Sequence, residues 1–358
     1  MQRLERLVLG VNVWLVAVLA SPACAREQPV LLPDAQAERL WEQYKATFIQ
    51  HDGRVIDTRQ VQISHSEGQG YGMLSSVLYD DRTTFHKIWQ WTKQNLQSRK
   101  DHLFAWAWGK RSNDQWEIID YNNATDGDLL IAYALLKASA KWNEASYKAE
   151  GLNIVEGIRR HLSTSWDNRT FLLPAYYGFK RADGVVLNPS YLIFSAYRSF
   201  AEIDDKVFWN KVYEDGLFLM ERSRFGKLKL PPDWVIYNKT GVAILEEKGA
   251  LFGYESIRTI LYLAWEQHPR FPEGMKAILK LYEQLGYIPR YVDLVKDSIS
   301  LEEAPAGFYA VYARAAEKSG HMALSQQLFK EAFKKVAAER DDYYSMSLLL
   351  LALQHVGE

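Results

Sequence analysis

Three acidic residues in this chain stand where chemistry could use them, each at the mouth of a segment with an apolar interior. Glu67 lies in S-H-S-E-G-Q-G-Y-G-M (64–73), Asp126 in A-T-D-G-D-L-L-I-A-Y-A-L-L-K-A-S-A-K-W (124–142), and Glu255 in G-Y-E-S-I-R (253–258). A fourth start of the same kind is Asn188-Pro189-Ser190-Tyr191, with an Asn cap and proline at the first helical position. Paired carboxyls are what glycoside hydrolysis needs, one to protonate the leaving oxygen and the other to activate water or attack carbon. Glu67 is the candidate acid. A helix N-terminus would lower its pKa, so it must be offset by desolvation or by an anion such as Asp126 to keep its proton near neutral pH. Other chemistries lack their residues: the chain has no H-E-x-x-H, no cysteine cluster, no EF-hand loop, no G-x-S-x-G and no P-loop. No metal or cofactor is therefore expected.

The aromatic content points to a ligand class. Phe, Trp and Tyr make up 13% of the residues, and Trp106, Trp108, Trp116, Tyr176, Tyr177 and Trp234 fall in turn-rich loops outside any strong period. Aromatics of that kind serve as stacking platforms for flat, neutral rings such as sugars; Trp106 and Trp108 are the candidate binding residues beside the acids.

The elements that must position these groups are helices. Apolar spacing predicts twelve, at 34–50, 66–79, 82–97, 125–141, 144–162, 190–202, 205–223, 254–266, 271–285, 304–318, 321–338 and 341–356. Ser66-x-x-Gln69 and Thr125-x-x-Asp128 read as capping boxes. Glycines 68, 70 and 72 leave the second helix nearly bare, open to close approach. The odd helices are amphipathic and the even ones apolar throughout, which suggests an outer ring packed around an inner ring of helical hairpins. All inner helices would then start at one end, bringing Glu67, Asp126, Tyr191 and Glu255 to a common rim, with the long loops 98–124, 163–189, 224–253 and 286–303 above it.

Residues 1–25 read as an export leader: Arg3 and Arg6, the apolar run Leu7–Ala20, then Ala23-Cys24-Ala25. Its removal would lower Lys plus Arg from 43 to 41 and Asp plus Glu from 44 to 43, a net charge of −2, which gives no electrostatic case for nucleic acid. The only cysteine leaves with the leader, so the exported chain cannot use disulfides and must rest on its core. No linker or charge block divides 26–358. The expectation is one catalytic domain, periplasmic or secreted, with no membrane span once the leader is gone.

The segment Ala124–Trp142 resembles the signature of glycoside hydrolase family 8, which reads A-[ST]-D-[AG]-D and runs on to a closing Trp. S-E-G-Q-G-Y-G-M, N-P-S-Y and G-Y-E-S-I-R are also similar to motifs of that family, in the family's order over about 60–345. The resemblance implies an all-α (α/α)6 barrel and inverting, cofactor-free hydrolysis of β-1,4-glucan. Within the family it resembles the periplasmic endoglucanases encoded with bacterial cellulose synthase, which makes the cellulose export complex a candidate partner. Chitosanase or xylanase specificity, or a glucan-binding accessory role with weak catalysis, are the alternatives. Carried over, Glu67 falls at the general acid, Asp126 at the acid that holds and distorts the sugar, Tyr191 at a tyrosine near the water, and Arg258 at the arginine three residues after the base. Where many members have Asp as base this chain has Glu255, one methylene longer. Some members take the base from the preceding loop, which here holds Glu246 and Glu247, so both readings stay open.

Overall fold

A computed structural model of the chain describes residues 34–356 except 268; the expected leader and Cys24 lie outside the described residues. Twelve α-helices are present among them, within a few residues of the spans expected from apolar spacing: α1 (Asp34–Phe48), α2 (Ser66–Leu78), α3 (Arg82–Asn95), α4 (Thr125–Trp142), α5 (Ala145–Leu162), α6 (Phe194–Ala201), α7 (Lys206–Arg222), α8 (Ile257–Ala264), α9 (Glu273–Leu285), α10 (Ala306–Lys318), α11 (Met322–Val336) and α12 (Tyr343–Leu353). The even helices touch in sequence, α2 to α4, α4 to α6, α6 to α8, α8 to α10 and α10 to α12, and α12 returns to α2, so the ring closes. The amphipathic helices α3, α5, α7 and α11 each pack on the inner helix before them, and α1 packs on α12. This is the double ring of an (α/α)6 barrel.

Burial explains the alternation. In α12 every residue from Ser345 to Ala352 is buried, and each leucine among them contributes about 1.5–3 kcal/mol by leaving water. Helices α2 and α4 approach so closely that a Cβ on Gly70 would meet Leu130 Cβ at 2.7 Å. A Cβ on Gly68 or Gly127 would strike the Tyr343 hydroxyl and the Ser66 hydroxyl respectively. The glycines therefore admit neighbouring protein groups, and the close approach expected from them is helix packing.

Neither capping box forms. Ser66 and Thr125 are the first helical residues, with no side-chain cap at His65 or Ala124. Gln69 instead reaches sideways, accepting from the Val55 N–H at 2.7 Å and donating to Thr92 Oγ1 at 2.8 Å. Thr125 donates to the Leu173 carbonyl at 2.6 Å. Asp128 accepts from the Phe104 N–H at 2.9 Å and from Asn123 Nδ2 at 2.7 Å, tying two rim segments to α4. A box motif satisfies its own helix only when no tertiary donor competes; here buried neighbours do.

Two inner helices start three or more residues later than expected. The 190–202 segment splits into a 3₁₀ turn, Pro189–Tyr191, and α6, because Asn188 Oδ1 captures both the N–H and the hydroxyl of Ser190. Gly253–Ser256 is a turn preceding α8, held by Asp233, whose carboxylate accepts from the Ser256 N–H at 2.8 Å and from its hydroxyl. Glu255 therefore sits in a pinned turn ahead of its helix.

The rim loops carry short strands that the sequence reading did not anticipate. β1 (Ser64–His65) pairs antiparallel with β2 (Ala107–Lys110), which pairs with β3 (Trp116–Asp120). β4 (Ser163–Trp166) and β5 (Arg169–Leu172) form a hairpin, and β6 (Gly184–Leu187), β7 (Val235–Asn238) and β8 (Gly241–Ile244) form a three-stranded sheet in that order. β9 (Leu251–Phe252), β10 (Val292–Asp293) and β11 (Ser298–Ile299) make the last. No helix among the described residues is long and apolar enough to cross a membrane.

Candidate active site

The starts of the inner helices open onto a cavity of about 500 Å³, lined among others by Glu67, Asp126, Tyr191, Glu255, Arg258 and Trp106. One buried side chain organises it. Arg258, only 3% exposed on the first turn of α8, donates through Nη1 to Glu67 Oε2 and to Asp126 Oδ2, the latter at 2.8 Å. Its Nη2 donates to Ser190 Oγ at 3.0 Å and lies 3.7 Å from Glu255 Oε2. A guanidinium this deep is tolerable only because carboxylates surround it.

Asp126 is fully enclosed and accepts from the Gly127 N–H at 2.9 Å through its other oxygen. Burial, then the charge on Glu67, push its carboxyl up to about 8, against the pull of Arg258. Asp126 therefore keeps its proton to higher pH than an ordinary carboxyl does.

Glu255 is gripped at both oxygens. Trp234 Nε1 donates to Oε1 at 3.3 Å and Asn188 Nδ2 donates to Oε2. Burial raises its pKa, which Arg258 opposes and nearby Asp233 reinforces. The result is an oriented carboxylate of increased basicity, still 37% exposed to the cleft. Tyr191 places its ring 5.6 Å from the Arg258 guanidinium, and burial lifts its hydroxyl well above the usual range, so it stays neutral.

The two candidate tryptophans part company. Trp106 lines the cleft with His65 stacked on it at 5.7 Å. Trp108 does not line it: it packs edge-on against Trp91 at 5.4 Å and face-on against Trp116 at 5.2 Å, with the Arg54 guanidinium 4.8 Å from its ring. Residues two apart on a strand share a face, but the register shifts between Ala107 and Trp108, and the bulge turns Trp108 away. Glu246 and Glu247 are also outside the cleft, exposed on a 3₁₀ turn where Glu247 pairs with Arg181. Tyr176 and Tyr177 stand exposed on the rim.

Several cleft residues escaped the sequence reading. Asp57, Arg59 and His65 come from the loop into α2, and Asp342, Tyr343 and Tyr344 from the start of α12. Arg59 joins the two segments, pairing with Asp342 at 2.7 Å and Asp341 at 3.2 Å. The rule that sends inner-helix starts to the rim, applied to the sixth inner helix, would have found Asp342–Tyr344. Among the described residues no group of His, Cys, Asp and Glu could hold a metal ion.

Asp128, beside the site, gives a pH test. Burial pushes its carboxyl up to about 8, against the Phe104 amide and the Asn123 side chain. A carboxyl whose pKa is raised on folding stabilises the fold fully below its unfolded value, near 4, and that stability is lost as pH rises through the folded value. Thermal unfolding of Asp128→Asn should therefore gain on the wild type between about pH 5 and pH 8.5, though it starts lower because Asn123 then faces a second amide donor. A difference in Tm that does not change with pH would refute the assignment.

The family model described as Glycosyl hydrolases family 8 matches residues 11–358. The chain is 36% identical over 299 residues to an endoglucanase of Cellulomonas uda, spanning 83% of this chain and 81% of the relative. It is 34% identical to a probable endoglucanase of Novacetimonas hansenii, spanning 89% and 90%. The solved endo-β-1,4-glucanase of Acetobacter xylinum matches it with a TM-score of 0.77 at 32% identity, covering 90% of this chain and 97% of that one.

Proposed function

The chain belongs to glycosyl hydrolase family 8, and we propose that it cleaves β-1,4-glucan chains internally, with inversion, using Glu67 as acid and Glu255 as base. The chain is thus a glycoside hydrolase with endoglucanase activity. The observation that carries the residue assignment is the gathering of Glu67, Asp126 and Glu255 around the buried guanidinium of Arg258, in a cleft walled by Trp106 and Tyr191. Glu67 protonates the glycosidic oxygen. Glu255 takes a proton from a water on the other face of the ring as that water attacks the anomeric carbon, so the C–O bond breaks as the new one forms and the configuration inverts. Asp126 holds the sugar at the cleavage point. Proton NMR of the first product from a β-linked glucan should show the α-anomer, and carboxymethylcellulose should be cut faster than chitosan or xylan. A β-anomer would reject inversion, and a preference for chitosan or xylan would reassign the substrate.

Asp126→Asn tests that role. It should retain some glucan binding but lose most activity, and because an amide replaces the carboxyl whose pKa is raised to about 8, the alkaline limb of kcat should change. Full activity with an unmoved limb would reduce Asp126 to a complement of the helix dipole.

The leader expected at 1–25 puts this activity in the periplasm or outside the cell, and β-glucan being spun out by a cellulose synthase is the substrate that location supplies. Co-purification with the export complex, and loss of secretion on deleting 1–25, test that placement.

A further inference from the structure

Away from the cleft, the tips of two hairpins flank an open surface pocket of about 540 Å³, sharing no residue with the cleft. One tip is the β4–β5 turn, where Asp167 and Asn168 both take positive φ, 50° and 59°, the geometry of a tight two-residue turn. The other is the β7–β8 turn, Asn238 to Gly241, with Gly241 at φ 113°. Between them lie Trp166, Tyr237, Asp167, Asn238, Lys239 and Thr240.

The polar groups there are already oriented. Tyr237 donates its hydroxyl to Asp167 Oδ2 at 2.8 Å, which fixes the carboxylate and leaves Oδ1 available. Asn238 Oδ1 accepts from both the N–H and the hydroxyl of Thr240, at 2.9 and 2.7 Å, which fixes the amide and leaves Nδ2 available as donor. Groups locked before binding lose little entropy on binding. Trp166 is half-buried against the hydrophobic cluster beneath the sheet, and the rest of its ring faces the cavity. Lys239 is exposed and makes no ion pair or hydrogen bond among the described residues.

An aromatic face beside fixed neutral and oppositely charged hydrogen-bonding groups suits a neutral polyhydroxylated ring. One carboxylate and one ammonium offset each other, so neither an anion nor a cation is favoured. We infer that this hairpin pocket is an ancillary saccharide-binding site that holds a β-glucan strand apart from the cleft. The identity of the sugar rests on the function proposed above; the pocket and its polarity do not.

The test uses affinity electrophoresis of the Glu67→Gln protein through gels containing soluble hydroxyethylcellulose. Trp166→Ala in that background should weaken retardation about three- to tenfold, the loss typical of one aromatic contact, and Lys239→Ala should weaken it about twofold. The Lys239 side chain is exposed and holds no partner among the described residues, so its truncation removes no described contact of the fold. In the active enzyme both substitutions should leave kcat/KM on cellopentaose within about twofold of the parent. Unchanged retardation in both variants overturns the site, as does a loss that runs in step with a loss of cellopentaose turnover. Failure of the wild type to hydrolyse cellopentaose would overturn the reading of the cleft instead, and retardation would still decide for or against the pocket.

Discussion

Glu67→Gln should lower kcat on cellopentaose by about 10²–10⁴, the usual contribution of a general acid, while Tm and oligosaccharide binding stay close to wild type. The fold should survive because Arg258 keeps Asp126 at 2.8 Å and the Gln amide still fills the Glu67 position, so the buried guanidinium is not stranded. The defect should also depend on the leaving group. A β-glucoside with a good aryl leaving group needs little protonation of its departing oxygen, so the variant should recover much of its deficit on it. A defect equal for both substrates, or a variant with wild-type turnover, would remove Glu67 from the acid role.

Glu255→Ala should be nearly inactive on both kinds of substrate, because a better leaving group does not supply the base that the attacking water needs. The shorter variant is the sharper test. From the sequence alone, Glu255→Asp should be as active as the parent or more so, since Asp is common at this position in the family. The geometry reverses that expectation. Trp234 and Asn188 grip the carboxylate at glutamate length, and Asp233 pins the turn beneath it, so an aspartate would withdraw from both donors. A displacement of about 1 Å can cost on the order of a hundredfold in rate, and a loss of that size is expected in kcat with KM nearly unchanged. An active Glu255→Ala enzyme that dies on Glu247→Ala would move the base to the loop, despite the Arg181 pair that holds Glu247 outside the cleft.

What was legible in the sequence was whatever depends on the period of burial. A run such as Leu348–Leu351 puts an apolar side chain on every face of its helix, so it cannot lie at a surface. The inner helices and their common polarity followed from such runs, and with them the meeting of Glu67, Asp126, Tyr191 and Glu255. What was not legible depends on partners far away in the chain. Thr125-x-x-Asp128 looks like a cap until Leu173 and Phe104 arrive to claim its side chains. Trp108 looks like a twin of Trp106 until a shift in strand register turns it away from the cleft, against Trp91 and Trp116. The rim strands are at most five residues long, too short to show a period of their own.

The seam where the loop into α2 meets the start of α12 has a consequence for the order in which the molecule is made. Arg59 and Asp342 both wall the cleft and hold each other, yet 283 residues separate them. Contacts so distant in sequence form late, after the cost of closing the intervening chain has been met. A chain emerging from its N-terminus therefore has its acid, Glu67, long before it has the sixth inner helix that closes the ring behind it. Until those last residues arrive the cleft lacks a wall.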